Sequence, residues 1–353
     1  MTSNNKKISL RNKIGAMLMF GFRGIEHSDD SVQEIIKDIK NYNLGGVILF
    51  KYNIVSPKQL SSLTDSFKQA NSKLLISVDQ EGGKVQRLNS KNGFKDTDSA
   101  KNISEHYTLN EAYQAYNDMA KMLKTNGINF NFAPVVDVDT QPACSVIGDL
   151  ERSYSSDVSK VIQYARQFIN AHRDQDVLTA VKHFPGHGFA KGDTHKGITD
   201  VTDLANPDVE LKPYEELLID STHISVMTAH IVNRNLDSEG FPATLSQKII
   251  SGVLRKQLDF QGVVVTDALE MAAIRNHYSL EEVVVRAINA GNDILVFSRN
   301  SAASLNDDKD DSWNTTPQAI VEIIETAVAD GKISKHRIEE SYERISNFVK
   351  VIV

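Results

Sequence analysis

Apolar residues along the chain fall into short runs that alternate with stretches of helical periodicity. Eight of these runs are nearly continuous rather than alternating, a pattern typical of strands buried on both faces of a parallel sheet. The strands predicted from them are Met17–Phe22, Gly46–Phe50, Leu74–Asp79, Ile128–Val136, Leu178–His183, Ile224–His230, Gly262–Asp267 and Ile294–Ser298.

Helical stretches lie between these runs. The segment Val32–Ile39 carries an apolar stripe at helical spacing, and Ser279 with Glu282 fits a capping box ahead of Val283–Ala290. A last amphipathic helix is marked by Ile338, Tyr342, Ile345 and Val349. Eight strands with intervening helices predict an α/β protein, a (β/α)8 barrel of the TIM type that forms a single domain over residues 1–353. A doubly wound open sheet is the competing prediction, because the pattern alone does not show closure.

Composition narrows the class of protein. The chain has 353 residues and a net charge of −7, and this negative charge argues against nucleic acid or an anionic membrane as the main partner. No run approaches the roughly 20 apolar residues that a membrane span needs, and Met1–Arg11 lacks the apolar core of a signal peptide. Cys144 is the single cysteine, so no intramolecular disulfide can form. We therefore expect a cytoplasmic enzyme that acts as a monomer on a small molecule.

Titratable residues gather at the C-terminal ends of the predicted strands, where barrel enzymes collect their catalytic groups. The fifth strand runs into Lys182-His183-Phe184-Pro185-Gly186-His187-Gly188, which is followed by Asp193-Thr194-His195. The third strand ends at Asp79, and the seventh ends at Asp267. Core packing does not need such chemistry, so the sequence predicts an active site at this end of the fold.

The acidic residues of these segments have both a structural and a catalytic interpretation. Asp267 could cap the following helix, but its place beside the other strand-end groups favours a nucleophilic or charge-stabilising carboxylate. Asp193 and His195 could be an incidental pair on a surface loop. Alternatively, a carboxylate bound to one imidazole nitrogen leaves the other nitrogen for proton transfer.

Lys182 and His183 also allow more than one role. They could donate hydrogen bonds to a polyol, or they could be structural hydrogen-bonding groups. Lys182 could also form a Schiff base with a carbonyl substrate, which would require a depressed pKa. Asp79 is suited to gripping two adjacent sugar hydroxyls, because an ionised carboxylate accepts two hydrogen bonds.

Arg87 and Arg152 could bind an anion, a hydroxyl or an acetyl carbonyl. Alternatively, each could form a salt bridge to Asp79, Glu81 or Asp137. A metal site is a further candidate, since His183, His187, His195 and His230 could combine with Asp79 or Asp267. None of these histidines is paired at the spacing of a helical metal motif, so no metal is predicted.

Taken together, these blocks resemble family 3 glycoside hydrolases, specifically the bacterial β-N-acetylhexosaminidases (β-N-acetylglucosaminidases) of the cytosolic murein-recycling type. The most specific matches are the Lys182–Gly188 and Gly262–Met271 blocks. Further ordered matches are Ile14–Met19, Gly45–Phe50, Asp79–Leu88, Asn131–Val138, Ile147–Gly148 with Arg152–Tyr154, and Met227–His230. The resemblance covers nearly the whole chain.

The resemblance implies a retaining exo-hydrolase that releases terminal β-linked GlcNAc, from cell-wall muropeptides, without metal or cofactor. Asp267 would be the nucleophile that forms a covalent glycosyl-enzyme. His195, on a mobile loop and paired with Asp193, would be the acid/base in place of the second carboxylate that retaining enzymes usually carry. The residues that would bind the sugar are Asp79, Arg87, Arg152, Lys182 and His183.

The sequence departs from the family pattern at three places and leaves other functions open. Thr194 stands where Ser is usual, Lys84 stands where Arg is common, and the spacing from Gly148 to Arg152 is longer than usual. One alternative is a β-N-acetylglucosaminide phosphorylase, because a neutral His–Asp pair repels phosphate less than a carboxylate does. The others are a sugar-binding relative without turnover and a Schiff-base lyase.

Overall fold

A computed structural model of the protein describes residues 8–140, 144, 146–190, 197–219, 222–300 and 313–352. The predicted pair Asp193 and His195 lies outside the described residues. The described part of the chain is a parallel sheet surrounded by helices, in which eight strands follow one another round a barrel.

The barrel strands are β1 (Leu18–Gly21), β2 (Gly46–Leu49), β3 (Leu75–Val78), β4 (Phe130–Asn131), β5 (Leu178–Phe184), β7 (Ile224–Thr228), β9 (Val264–Thr266) and β10 (Leu295–Phe297). Their order in the sheet is β10-β1-β2-β3-β4-β5-β7-β9, and every neighbouring pair is parallel. The two remaining described strands, β6 (Thr199–Asp200) and β8 (Ile231–Val232), form a small parallel pair.

The sheet closes between its first and last strands. Val265 of β9 forms a parallel bridge with Ile294, directly before β10, and the Thr266 amide donates to the Ile294 carbonyl at 3.0 Å. The predicted barrel is therefore confirmed, and the open doubly wound sheet is wrong. The buried faces of all eight strands agree with the continuous apolar runs, because in a closed barrel one face meets the interior and the other meets the helices.

The fourth strand is much shorter than predicted. Its ladder ends at Asn131, and pairing with β5 resumes only as an isolated bridge between Val135 and Lys182. Pro134 lies between these points, and its nitrogen has no N–H to donate to the ladder. The apolar run Ile128–Val136 is buried as predicted, but it contributes only two residues of regular strand.

The helices described in the structure are α1 (Leu10–Ala16), α2 (Asp30–Tyr42), α3 (Pro57–Ala70), α4 (Ala100–His106), α5 (Leu109–Thr125), α6 (Val158–Arg173), α7 (Pro207–Glu210), α8 (Lys212–Leu217), α9 (Ala272–Arg275), α10 (Leu280–Ala290), α11 (Pro317–Ala329) and α12 (Lys335–Lys350). Three short 3₁₀ turns cover Lys51–Asn53, Ser90–Asn92 and Ala243–Leu245, and Lys248–Gln257 is a helix of wide π-type turns. No helix among the described residues has both the length and the apolar character needed to cross a membrane.

Local sequence signals account for several of these helices. The stripe within Val32–Ile39 is buried on α2, as predicted. Ser279 caps α10 by accepting a hydrogen bond from the Glu282 amide, while the Glu282 carboxylate pairs with Arg286 on the next turn. Half of the predicted capping box is thus present. Gly291, at a φ of 126°, ends this helix.

The end of the barrel opposite the predicted site is held together by one buried acid. Asp293, two residues before β10, accepts hydrogen bonds from Arg255 at 2.7 Å, from Arg337 at 3.0 Å and from Arg344 at 3.2 Å. Ser341 of α12 also donates to it at 2.8 Å. The cluster ties the last helix and the π-type helix to the sheet, away from the strand ends that carry the predicted chemistry.

Candidate active site

A cavity of about 470 Å³ opens at the C-terminal ends of the barrel strands. Asp79 follows β3 and Asp267 follows β9, while Lys182 and His183 lie near the end of β5. Its lining includes six of the predicted site residues, which are Asp79, Arg87, Arg152, Lys182, His183 and Asp267. The sequence prediction that these groups share one site is therefore consistent with their placement, and Asp193 and His195 stay predictions.

Asp79 receives cations from two directions. Its Oδ1 atom lies 2.9 Å from Lys182 Nζ, and its Oδ2 atom lies 3.0 Å from Arg87 Nη2. Burial would raise the pKa of the Asp79 carboxyl, but Lys182 and Arg87 hold this pKa well below its usual range. The carboxylate is thus ionised at neutral pH, and each oxygen keeps a lone pair for a further donor such as a sugar hydroxyl.

Glu81 forms a second buried ion cluster beside Asp79. Its carboxylate accepts a bidentate pair from Arg152, with Nε–Oε2 and Nη2–Oε1 both 2.8 Å, and Lys182 Nζ lies 2.6 Å from Oε1. Burial would raise the pKa of Glu81, but Arg152 and Lys182 lower it to about 2. The salt bridges considered for Arg87 and Arg152 are thus present, and both arginines still face the cavity.

Glu81 entered the sequence analysis only as an ion-pair partner. A signal for a larger role was nonetheless available. Residues two apart in an extended segment point to the same side, so Asp79 at a strand end predicts that Glu81 faces the same cavity. The structure places both side chains in the cavity wall.

Asp137 anchors the segment that carries His183 and His187. One of its oxygens accepts the His183 amide at 3.2 Å and the His187 amide at 2.8 Å, and the other lies 2.7 Å from His183 Nδ1. Burial would raise the pKa of Asp137, but the two histidines lower it. Burial lowers the pKa of His187 to about 4, so this imidazole is neutral near pH 7.

Asp267 is not a helix cap. The next helix, α9, begins only at Ala272 and has Met271 as its N-cap. Asp267 Oδ1 instead accepts a hydrogen bond from the neighbouring Ala268 amide at 2.7 Å. The structural interpretation of this residue is therefore wrong, and its carboxylate faces the cavity.

His230 supports the strand end beside Asp267. Its Nε2 atom lies 2.9 Å from the Ala268 carbonyl, and its Nδ1 atom lies 2.8 Å from Thr244 Oγ1. A carbonyl only accepts, so Nε2 carries the proton of this contact. Within the described ranges, no three His, Cys, Asp or Glu side chains are grouped as metal ligands.

Aromatic side chains line the cavity together with its charged groups. Phe50 and Tyr52 stack with ring centroids 5.5 Å apart, and the Arg23 guanidinium lies 4.0 Å from the Tyr52 centroid. Burial raises the pKa of the Tyr52 hydroxyl to about 12. The site thus combines aromatic and charged lining residues, which suits a ligand having one apolar face and several hydroxyls.

Residues 9–348 match the glycosyl hydrolase family 3 N-terminal domain. The chain belongs to glycosyl hydrolase family 3. Beta-hexosaminidase A of Pseudoalteromonas piscicida is 35% identical to it over 291 residues, which make up 74% of this family 3 chain and 47% of that protein. Beta-hexosaminidase LpqI of Mycobacterium tuberculosis is 30% identical over 354 residues, which cover 96% of this chain and 82% of the relative.

Solved structures of the family share the barrel. A family 3 beta-N-acetylglucosaminidase from Paenibacillus sp. str. FPU-7 superposes with a TM-score of 0.86 and 33% identity, covering 98% of this chain and 63% of that one. The chain thus spans less than two thirds of the Pseudoalteromonas protein and of the Paenibacillus chain. The predicted resemblance to family 3 glycoside hydrolases is confirmed.

Proposed function

We propose that this protein is a retaining exo-β-N-acetylglucosaminidase that hydrolyses terminal β-linked GlcNAc through a covalent glycosyl-enzyme. The observation that carries the proposal is the placement of the Asp267 carboxylate in the same cavity wall as the Asp79–Lys182–Arg87 cluster. A nucleophilic carboxylate and an array of hydroxyl-binding groups are what a glycosidase needs at one sugar ring. The names of the relatives support GlcNAc as that sugar.

In the first step, an Asp267 oxygen attacks the anomeric carbon while the bond to the aglycone oxygen breaks. His195, as an imidazolium, gives its proton to that oxygen, and Asp193 orients the ring. Imidazole suits this task because its unperturbed pKa of roughly 6.5 lies close to neutral pH. In the second step, the neutral imidazole takes a proton from water, whose oxygen attacks the anomeric carbon and releases Asp267.

The charged residues that line the cavity bind the sugar. The Asp79 carboxylate accepts hydrogen bonds from two hydroxyls, and Lys182, Arg87 and Arg152 donate the remaining hydrogen bonds. The His183 ring, whose two nitrogens contact Asp137 and Arg152, lies against the sugar. These groups already hold one another through ion pairs, so the ligand meets a largely preformed array. Preformed polar groups lose little freedom on binding.

The natural substrate that we propose is a GlcNAc-terminated muropeptide of cell-wall turnover, hydrolysed in the cytoplasm by a monomer. Residues 1–353 would form one catalytic barrel domain. The support for these finer points is the motif resemblance of the sequence.

The activity is tested by release of nitrophenol from its β-GlcNAc glycoside, with the β-glucoside measured beside it in metal-free buffer. Turnover of the GlcNAc compound alone is expected, and turnover of neither would contradict the proposal. Proton NMR should show the β-anomer of GlcNAc first, as retention requires. Formation of GlcNAc 1-phosphate in phosphate buffer would instead establish the phosphorylase.

A further inference from the structure

Glu81 has no role in the proposed mechanism, although it lies within the Asp79–Leu88 block. It is only 7% exposed, yet it lies in the cavity wall between two of the cations that contact the sugar in the proposed function. Its backbone is fixed as well, because the Glu81 amide donates to the Val85 carbonyl at 2.9 Å. The following Gly82 has a φ of 105°, and a Cβ there would lie 2.3 Å from the Asp98 carbonyl oxygen.

Most of the donors of Arg152 are already taken. A guanidinium has five N–H groups. Nε donates to Glu81 and Nη2 to both Glu81 and His183, while Nη1 donates to the Val146 carbonyl at 2.9 Å. These four contacts leave one Nη1 N–H for a ligand, and Glu81 fixes the plane in which it lies.

Lys182 is constrained in the same way. An ammonium group has three donors. Nζ lies 2.9 Å from Asp79 and 2.6 Å from Glu81, which leaves one N–H. The Lys182 side chain is only 2% exposed, so its ammonium depends on these two carboxylates for compensation of its charge.

From these contacts, and resting on the proposed glycosidase function, we propose that Glu81 is a positioning residue of the active site. It holds Arg152 and Lys182 so that one N–H of each stays available to the sugar. Asp79 does not take this role, because its two oxygens contact Lys182 and Arg87, whereas Arg152 forms its bidentate pair with Glu81. Bidentate pairing also requires two equivalent oxygens, which a carboxylate has and an amide lacks.

The test is a double-mutant cycle with Glu81→Gln, Arg152→Gln and the pair, measured by kcat and KM on nitrophenyl β-GlcNAc and by calorimetric binding of GlcNAc. Each single change is expected to lower kcat/KM by about 100-fold, because loss of alignment in an active site has effects of this order. If Glu81 acts through Arg152, kcat/KM of the double variant should be no more than about threefold below that of the less active single variant.

A merely structural role would give a different result. The fold losses in kcat/KM of the two single variants would then multiply in the double variant. Each loss would also parallel a fall in the melting temperature. Arg344→Gln is the matched control, because it removes one arginine contact from the buried Asp293 at the far end of the barrel. It should lower the melting temperature while kcat/KM stays within about twofold of wild type, since distant sites are usually independent.

If Glu81→Gln does not fold, Arg152→Lys replaces it, because lysine keeps the charge but loses the bidentate fork. The expected loss is again about 100-fold. Full activity of either folded variant would overturn the positioning role while leaving the proposed function intact. A wild-type protein without turnover would contradict the function, and the cycle would then be judged on GlcNAc binding. Absence of binding by the wild type would overturn both.

Discussion

His183 and Asp137 face each other with Nδ1 and Oδ2 2.7 Å apart, and this contact fixes the tautomer of the imidazole. The other ring nitrogen, Nε2, lies 3.2 Å from Arg152 Nη2. A guanidinium can only donate, so Nε2 accepts from Arg152. Nδ1 therefore carries the ring proton and donates a hydrogen bond to Asp137. His183 is therefore held in one orientation in the cavity wall, between the buried Asp137 and the partly buried Arg152.

Asp137→Asn should impair the enzyme through His183. The amide keeps one acceptor but presents N–H groups where the His183 ring donates, so the ring must turn or change tautomer. We expect kcat/KM on nitrophenyl β-GlcNAc to fall by about 100-fold, as misalignment of a binding group commonly does. The melting temperature should fall too, because the buried ring N–H of His183 loses its acceptor. Activity within about threefold of wild type would remove this role from Asp137.

Asp267→Ala should abolish turnover and leave the fold intact, because the side chain faces a cavity rather than the core. The expected loss in kcat is at least about 1,000-fold, as for removal of other catalytic nucleophiles. A slowly hydrolysed fluorinated GlcNAc donor should add one glycosyl mass to the wild type and none to the variant. Unchanged circular dichroism is the control for folding. Retained activity would exclude Asp267 as the nucleophile.

His195→Ala should affect substrates according to their leaving groups. An aglycone with a low pKa departs without a proton, whereas an alkyl or sugar aglycone needs one. We therefore expect a large loss in kcat/KM for a GlcNAc disaccharide and a much smaller loss for dinitrophenyl β-GlcNAc. Asp193→Ala should show the same order of effects. Equal losses on both substrates would contradict the acid role.

Glu210 should make the stability of the fold depend on pH. This carboxyl of α7 is 3% exposed and lies against Gly186, where a Cβ would be 2.6 Å from the Glu210 Cβ. Burial, and then the Asp137 charge, raise its pKa from 4.5 to about 9. The folded state therefore holds a proton that the unfolded state releases, and stability is lost as the pH rises from 4.5 through 9.

Glu210→Gln should remove this loss of folding stability at high pH, because the amide is neutral at every pH. The melting temperature of the variant should exceed that of wild type by a margin that grows between about pH 5 and 9. The exposed Glu215 is the matched control, and Glu215→Gln should show no such growing margin. A constant difference between Glu210→Gln and wild type would show that the group does not change ionisation on folding.

The sequence predicted the barrel well because its signals are local. Continuous apolar runs mark strands that are covered on both faces, and stripes such as Val32–Ile39 mark the helices that cover them. Its errors are local as well. The fourth run reads as a long strand, although Pro134 interrupts the ladder, and Asp267 can be mistaken for a cap until α9 is seen to begin at Ala272.

What the sequence determined by itself is which segments are buried and which strand ends carry titratable groups, since both follow from residues close together in the chain. The tertiary structure decided how those groups pair. Glu81 and Arg152 are 71 residues apart, and Asp79 and Lys182 are 103 apart. Such pairs meet only because closure of the barrel brings several strand ends to one cavity. Charge compensation in a buried site depends on distances of a few ångströms, and these are set by the fold and not by the spacing of the motifs.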